Sequence, residues 1–119
     1  MRHFKKSEFK CNCGKCNKGY ADMDPALLFL LDEARHRAEI PFVISSAMRC
    51  KAYNTIVKGT AKSSHLTGYA VDIIVSNSRD RYKVILALME IGFKRIGIGP
   101  DFIHIDADPE KDGKLIWNC

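Results

Sequence analysis

Apolar positions recur at helical spacing in two long stretches of the chain. Leu27, Leu28, Leu31, Ala34 and Ala38 form the first, and their spacing predicts an amphipathic helix over 25–39. Asp24-Pro25 marks its start, with aspartate as N-cap and proline at the first helical position, and Pro41 ends it. Val84, Ile85, Leu88 and Ile91 form the second, predicting a helix over 79–91 that Gly92 stops. A shorter helix fits 50–58. Elsewhere the apolar residues come in brief runs or alternate with polar ones. These predict a buried strand at 42–45, strands at 69–75, 93–98 and 102–106, and an edge strand at 114–117. Short turns separate the last strands, which favours antiparallel pairing. The class expected is α+β: a small, mainly antiparallel sheet with helices on one face.

The chain has 119 residues, the size of one domain, so 1–119 is read as a single unit. Residues 1–20 are an irregular, cysteine-containing arm. Ser7-Glu8-Phe9 is placed to start one helical turn, and Phe4 and Phe9 to fix the arm to the core. The net charge of +5 favours anionic partners: nucleic acid, acidic lipid or an anionic wall polymer. The basic residues are spread out rather than packed into a block, which argues against nucleic acid. No apolar run is long enough to span a bilayer, so no stable membrane association is expected. Residues 1–20 also lack the apolar middle of an export signal, so a cytoplasmic location is expected.

Five cysteines are present: Cys11, Cys13, Cys16, Cys50 and Cys119. Without an export signal, thiols or a metal are favoured over disulfides. The cluster Cys11-Asn12-Cys13-Gly14-Lys15-Cys16 has two readings. One is a structural zinc site completed by Cys50 or Cys119. The other, favoured because a zinc ribbon needs two separated pairs, is a Gly-containing turn carrying free thiols. His36, among Arg35, Arg37 and Glu39, reads as a solvated surface residue.

The residues with the most chemistry lie between Arg49 and Asp106. In Ser63–Asp72 a histidine precedes an aspartate by seven positions, just before and on a strand. His65, Asp72 and His104 together form a set that can hold a tetrahedral zinc and leave one position open. Asp101, three residues before His104, is placed to move a proton. Arg49, in the turn after the strand at 42–45, is placed to bind a carbonyl or carboxylate oxygen. Asp106 lies two residues beyond His104 on the same strand face, as a partner orienting a histidine or as a rival to Asp101. Each has a plainer reading: a hydrogen-bonded His65, Asp72 as a buried cap, Asp101 as a turn residue after Pro100, Arg49 as a surface charge. His-x6-Asp is not by itself a specific metal pattern.

Ser63-Ser64-His65-Leu66-Thr67-Gly68-Tyr69-Ala70-Val71-Asp72 resembles the S-x-H-x-x-G-x-A-x-D signature of the zinc D-alanyl-D-alanine peptidases, with every fixed position present. That family includes D,D-carboxypeptidases, D,D-dipeptidases of vancomycin resistance, and phage endolysins that cut the L-alanyl-D-glutamate bond. Asp101-Phe102-Ile103-His104 is similar to its second motif. Ser45-Ser46-Ala47-Met48-Arg49 resembles its S-G-x-R element, with Ser46 in place of the glycine. The likeness runs over roughly residues 3–106 and is nearest to the short phage and prophage members. It implies a hedgehog/DD-peptidase fold and one zinc ion on His65, Asp72 and His104. It further implies Asp101 as acid/base, Arg49 as a substrate or transition-state contact, and Ser64 as a substrate-side residue of the site. The implied substrate is a peptidoglycan stem peptide and the implied state a monomer. A non-catalytic zinc-containing module on the same fold, as in the hedgehog signalling domain, is the alternative. The presence of both Asp101 and Arg49 favours the enzyme.

Overall fold

A computed structural model describes residues 1–119. Eight main elements follow in order: α1 (Pro25–Ala38), β1 (Val43–Ser46), α2 (Lys51–Ile56), β2 (Ala70–Ile74), α3 (Ser78–Ile91), β3 (Arg95–Ile98), β4 (Phe102–Asp106) and β5 (Leu115–Asn118). The strands form one sheet in the order β1-β2-β4-β3-β5. All pairs are antiparallel except β3 with β5. The α+β class and mainly antiparallel sheet match the sequence reading.

The helices start and stop where the chain chemistry directs. The Asp24 carboxylate accepts from the Leu27 N–H at 3.0 Å, with Pro25 next in line, and α1 ends at Glu39 in a left-handed conformation. The Asn77 side chain caps α3 by accepting from the Asp80 N–H at 2.8 Å, and Gly92, at φ 109°, ends it. Leu27, Leu28, Leu31 and Ala34 of α1 and Val84, Ala87 and Leu88 of α3 are buried in one cluster with Val71, Ile73, Ile96, Ile103 and Ile105 of the sheet. Fully burying a side chain of the larger kinds contributes about 1.5–3 kcal/mol, so this layer is the main source of stability.

Strand alternation divides the sheet. Val71, Ile73, Ile103 and Ile105 point into the helical layer and are fully buried. Their neighbours Asp72, His104 and Asp106 stand on the opposite face. The register sets a row across all five strands: Ser46 opposite Asp72, Asp72 opposite His104, His104 opposite Gly97, and Gly97 opposite Trp117.

Two expectations need correction. The run at 42–45 is not a buried strand: only Phe42, just ahead of β1, is buried, while β1 is an edge strand with Val43 54% exposed. An apolar run cannot by itself distinguish an edge from a centre, because that depends on which strands pair. The last strand is parallel to β3, because residues 107–114 carry the chain past β3 to the far edge of the sheet. The helix expected over 50–58 is the shorter α2, capped by Cys50.

The arm is tied down at several points. Phe4 and Phe9 are buried against each other edge to face, with ring centroids 5.7 Å apart. The Arg2 and His3 N–H groups donate to the buried Asp32 carboxylate at 3.1 and 3.0 Å. Burial alone would raise the Asp32 pKa, but these donors outweigh it and hold the carboxyl below its usual range. Its contribution to stability is therefore present above the unfolded-chain pKa of about 3.9, and is lost as pH falls through the lower folded value. Asp32→Ala is expected to cost about 1–3 kcal/mol at neutral pH, read as a lower urea midpoint. The difference from the parent should vanish in acid; an unchanged midpoint at neutral pH would contradict this role.

Candidate metal centre and catalytic cleft

Each residue of the centre is delivered by a different local device. His65 sits in a single 3-10 turn, Ser64–Thr67, whose entry is capped by Ser63 Oγ accepting from the His65 N–H at 3.2 Å. The turn closes at Gly68, at φ 80°. A Cβ there would lie 2.1 Å from the Asp22 carbonyl oxygen, so both the conformation and the close approach require glycine. Asp72 and His104 face each other across the β2–β4 pair. Arg49 follows β1, and its N–H donates to the His65 carbonyl at 3.0 Å.

The potential ligand atoms of His65, Asp72 and His104 all lie within 4.8 Å of one another. His65 Nε2 and His104 Nδ1 both face the same Asp72 oxygen, Oδ1, at 3.2 and 2.8 Å. The remaining nitrogen of each ring is occupied on the outside. His65 Nδ1 donates to the Ala47 carbonyl at 2.7 Å, and His104 Nε2 donates to Asp106 Oδ2 at 2.8 Å. With a metal in place of the inner protons, those outer bonds hold His65 Nε2 and His104 Nδ1 as the ligating nitrogens. Two imidazoles and a carboxylate with fixed outer partners suit zinc, with a coordination position left over.

The electrostatics agree with the geometry. Burial alone would raise the Asp72 carboxyl, but hydrogen bonds from His104 and His65 hold it well below the usual carboxylate range. Burial likewise opposes ionisation of Asp106, and His104 and Arg95 outweigh it, so its pKa is also lowered. Burial would lower the pKa of His104, but Asp106 and Asp72 raise it.

A cavity of about 610 Å³ opens above this floor, lined among others by Arg49, Ser64, His65, Asp72, His104 and Trp117. Arg49 is held from several sides: it donates through Nε to Ser46 Oγ at 3.0 Å, through Nη1 to Asn54 Oδ1 at 3.3 Å, and through Nη2 to Asp72 Oδ2 at 3.5 Å. Ser64 is buried, and its hydroxyl donates to Asp108 Oδ2 and accepts from Lys111 Nζ, which fixes the loop at the cavity edge. Asp106 is 2% exposed, with Oδ1 accepting from Arg95 Nε at 2.6 Å and Oδ2 facing His104.

Asp101 is the expected site residue that the structure does not bring in. It is exposed, in the bend before β4, and outside the cavity lining. A position three residues from His104 falls on the other side of an alternating strand, so the spacing alone does not bring it to the mouth.

Arg95 and Trp117 were not legible as site residues. The Arg95 guanidinium lies over the Trp117 ring at 4.8 Å, and the Trp117 ring is 5.7 Å from that of His104. Gly97 makes room for them, since a Cβ there would meet Trp117 at 3.0 Å and Cys119 Sγ at 2.7 Å. Only the pairing of β5 beside β3 brings Trp117 to His104, and that pairing leaves no local pattern.

The sequence model of the family described as Peptidase M15 matches residues 2–106, and the chain belongs to this family. Among curated proteins none matches. No helix is long and apolar enough to cross a membrane.

Because Asp106 fixes the His104 ring, Asp106→Asn is expected to weaken zinc binding about 10–100-fold, measured by competition with a chromophoric chelator. Unchanged affinity would remove Asp106 from the centre.

Proposed function

We propose that this member of the peptidase M15 family is a zinc-dependent hydrolase of the stem peptides of bacterial peptidoglycan. The bond cut is either L-alanyl-D-glutamate or the terminal D-alanyl-D-alanine. The observation that carries this reading is the convergence of His65, Asp72 and His104 on one point at the floor of a cavity walled by Arg49. We place its action in cell-wall lysis, as in the short phage endolysins its motifs resemble, after release from the host cytoplasm. The net charge of +5 suits an anionic wall polymer.

When bound, zinc supplies Lewis acidity and lowers the pKa of water. The chain's own residues do the rest. Arg49, prearranged by Ser46 and Asn54, binds a substrate carboxylate or the carbonyl oxygen on which charge develops. The Ala47 carbonyl and Asp106 keep His65 and His104 in their ligating tautomers. Asp106 is held on both oxygens, by Arg95 and His104, which suits an orienting group better than one that must take up and release a proton. Asp101 is free of such partners and stands at the start of the strand that carries His104. Proton transfer is assigned to Asp101, brought to the cleft by the bend at 100–101 in the substrate complex, since hydrogen bonds of this kind often tighten only there.

Mass spectrometry of muropeptides from purified sacculi, with and without a zinc chelator, tests the activity. Release of the stem after its first alanine identifies the endopeptidase, and loss of one terminal alanine the carboxypeptidase. No chelator-sensitive product from several wall types would favour a non-catalytic module. Asp101→Asn is expected to keep its zinc and lose about 10²–10⁴-fold in turnover. Normal turnover in Asp101→Asn, with loss in Asp106→Asn, would move the proton to Asp106.

A further inference from the structure

The cysteines of the arm do not form an isolated turn. Cys11, Cys13, Cys16 and Cys50 bring their sulfurs within 4.8 Å of one another, although Cys50 lies 39 positions after Cys11. Cys119 is elsewhere, beside Gly97 and Trp117. Four sulfurs placed about 2.3 Å from a tetrahedral zinc would be about 3.8 Å apart. Cys13 and Cys16, at 3.4 Å, and the full set, within 4.8 Å, bracket that value.

The backbone around the cluster is arranged for thiolates. The Lys15 N–H points at Cys13 Sγ at 3.3 Å, the Cys50 N–H at Cys11 Sγ at 3.3 Å, and the Tyr53 N–H at Cys50 Sγ at 3.4 Å. Gly14, at φ 71°, supplies the left-handed residue that folds Cys13-Gly14-Lys15-Cys16 into a knuckle. Lys10, Lys15, Lys18 and Lys51 flank the cysteines in sequence. A redox pair made of Cys13 and Cys16 alone would not draw in Cys11 and Cys50, whose sulfurs lie in the same cluster.

We infer that Cys11, Cys13, Cys16 and Cys50 hold a second metal ion, a structural zinc. Four protein ligands leave no open position, in contrast to the three-residue centre in the cleft. The ion joins the arm to Cys50, which caps α2 and directly follows Arg49. Asn12 reinforces the same junction by donating to the Ser45 carbonyl at 2.9 Å. The site thus secures the arm against the corner that presents Arg49 to the cleft.

Metal analysis of the full chain, purified under reducing conditions, tests this. The parent is expected to hold two zinc ions per chain. The double variant Cys13→Ser, Cys16→Ser should hold one, and His65→Ala should hold one, retained by the cysteines. Cobalt substitution of the parent and of His65→Ala should give the intense sulfur-to-metal charge-transfer band of a thiolate site, absent from the cysteine variant. The two centres fail separately: if only the cleft lacks metal, the parent holds one ion that His65→Ala keeps. A cysteine variant with the parent's full metal content would overturn the inference. So would a parent in which these four thiols react at once with a thiol reagent before chelation, or a Cys13–Cys16 disulfide in the purified chain.

Discussion

Asp72 is a carboxylate buried in the middle of a sheet, and a buried charge is costly unless it is paired. It is paired on every side: His65 and His104 share one oxygen, and Arg49 approaches the other. Three segments far apart in the chain must therefore meet at one strand position. That requirement accounts for much of the architecture. The 3-10 turn aims His65, the β2–β4 register places His104 opposite, and the segment leaving β1 returns Arg49 across the same face. A metal ion with two positive charges would meet the same carboxylate and the same ring nitrogens. The features that stabilise Asp72 as an anion are also those that ready the centre for zinc.

The sheet reconciles this polar cluster with a small core by using its two faces differently. Isoleucines and valines at alternate positions fill the helical layer, and the positions between them carry the chemistry. A one-residue slip of β2 against β4 would put Asp72 into the core and Ile73 into the cleft, so register is fixed by both faces at once. Glycines matter where the backbone comes close to other groups: Gly68 against the Asp22 carbonyl, and Gly97 beneath Trp117. Neither position tolerates a side chain without moving a neighbour.

The two long helices and their caps were legible because periodicity and capping chemistry are local. The strands β2 and β4 were legible for the same reason, and with them His65, Asp72 and His104 as a set of suitable donors. What could not be read was pairing. The edge position of β1, the parallel placement of β5, and the approach of Arg95 and Trp117 to His104 all follow from strand order, which no short stretch encodes. Asp101 shows the limit of spacing: three positions from His104 on an alternating strand it lies outside the cavity lining, and it reaches the cleft only if the bend at 100–101 moves. The cysteine cluster was legible with Cys50 or Cys119 as its possible fourth member; that Cys50, at the cap of α2, is the one whose sulfur joins it follows from the fold.

The central claim is that His65, Asp72 and His104 form a zinc centre rather than a buried hydrogen-bonded network. Anomalous diffraction at the zinc edge, from crystals of the purified protein, tests it most directly. The account predicts a peak about 2.0–2.2 Å from His65 Nε2, His104 Nδ1 and an Asp72 oxygen. A map without that peak, with Asp72 still hydrogen-bonded directly to both histidines, would contradict it.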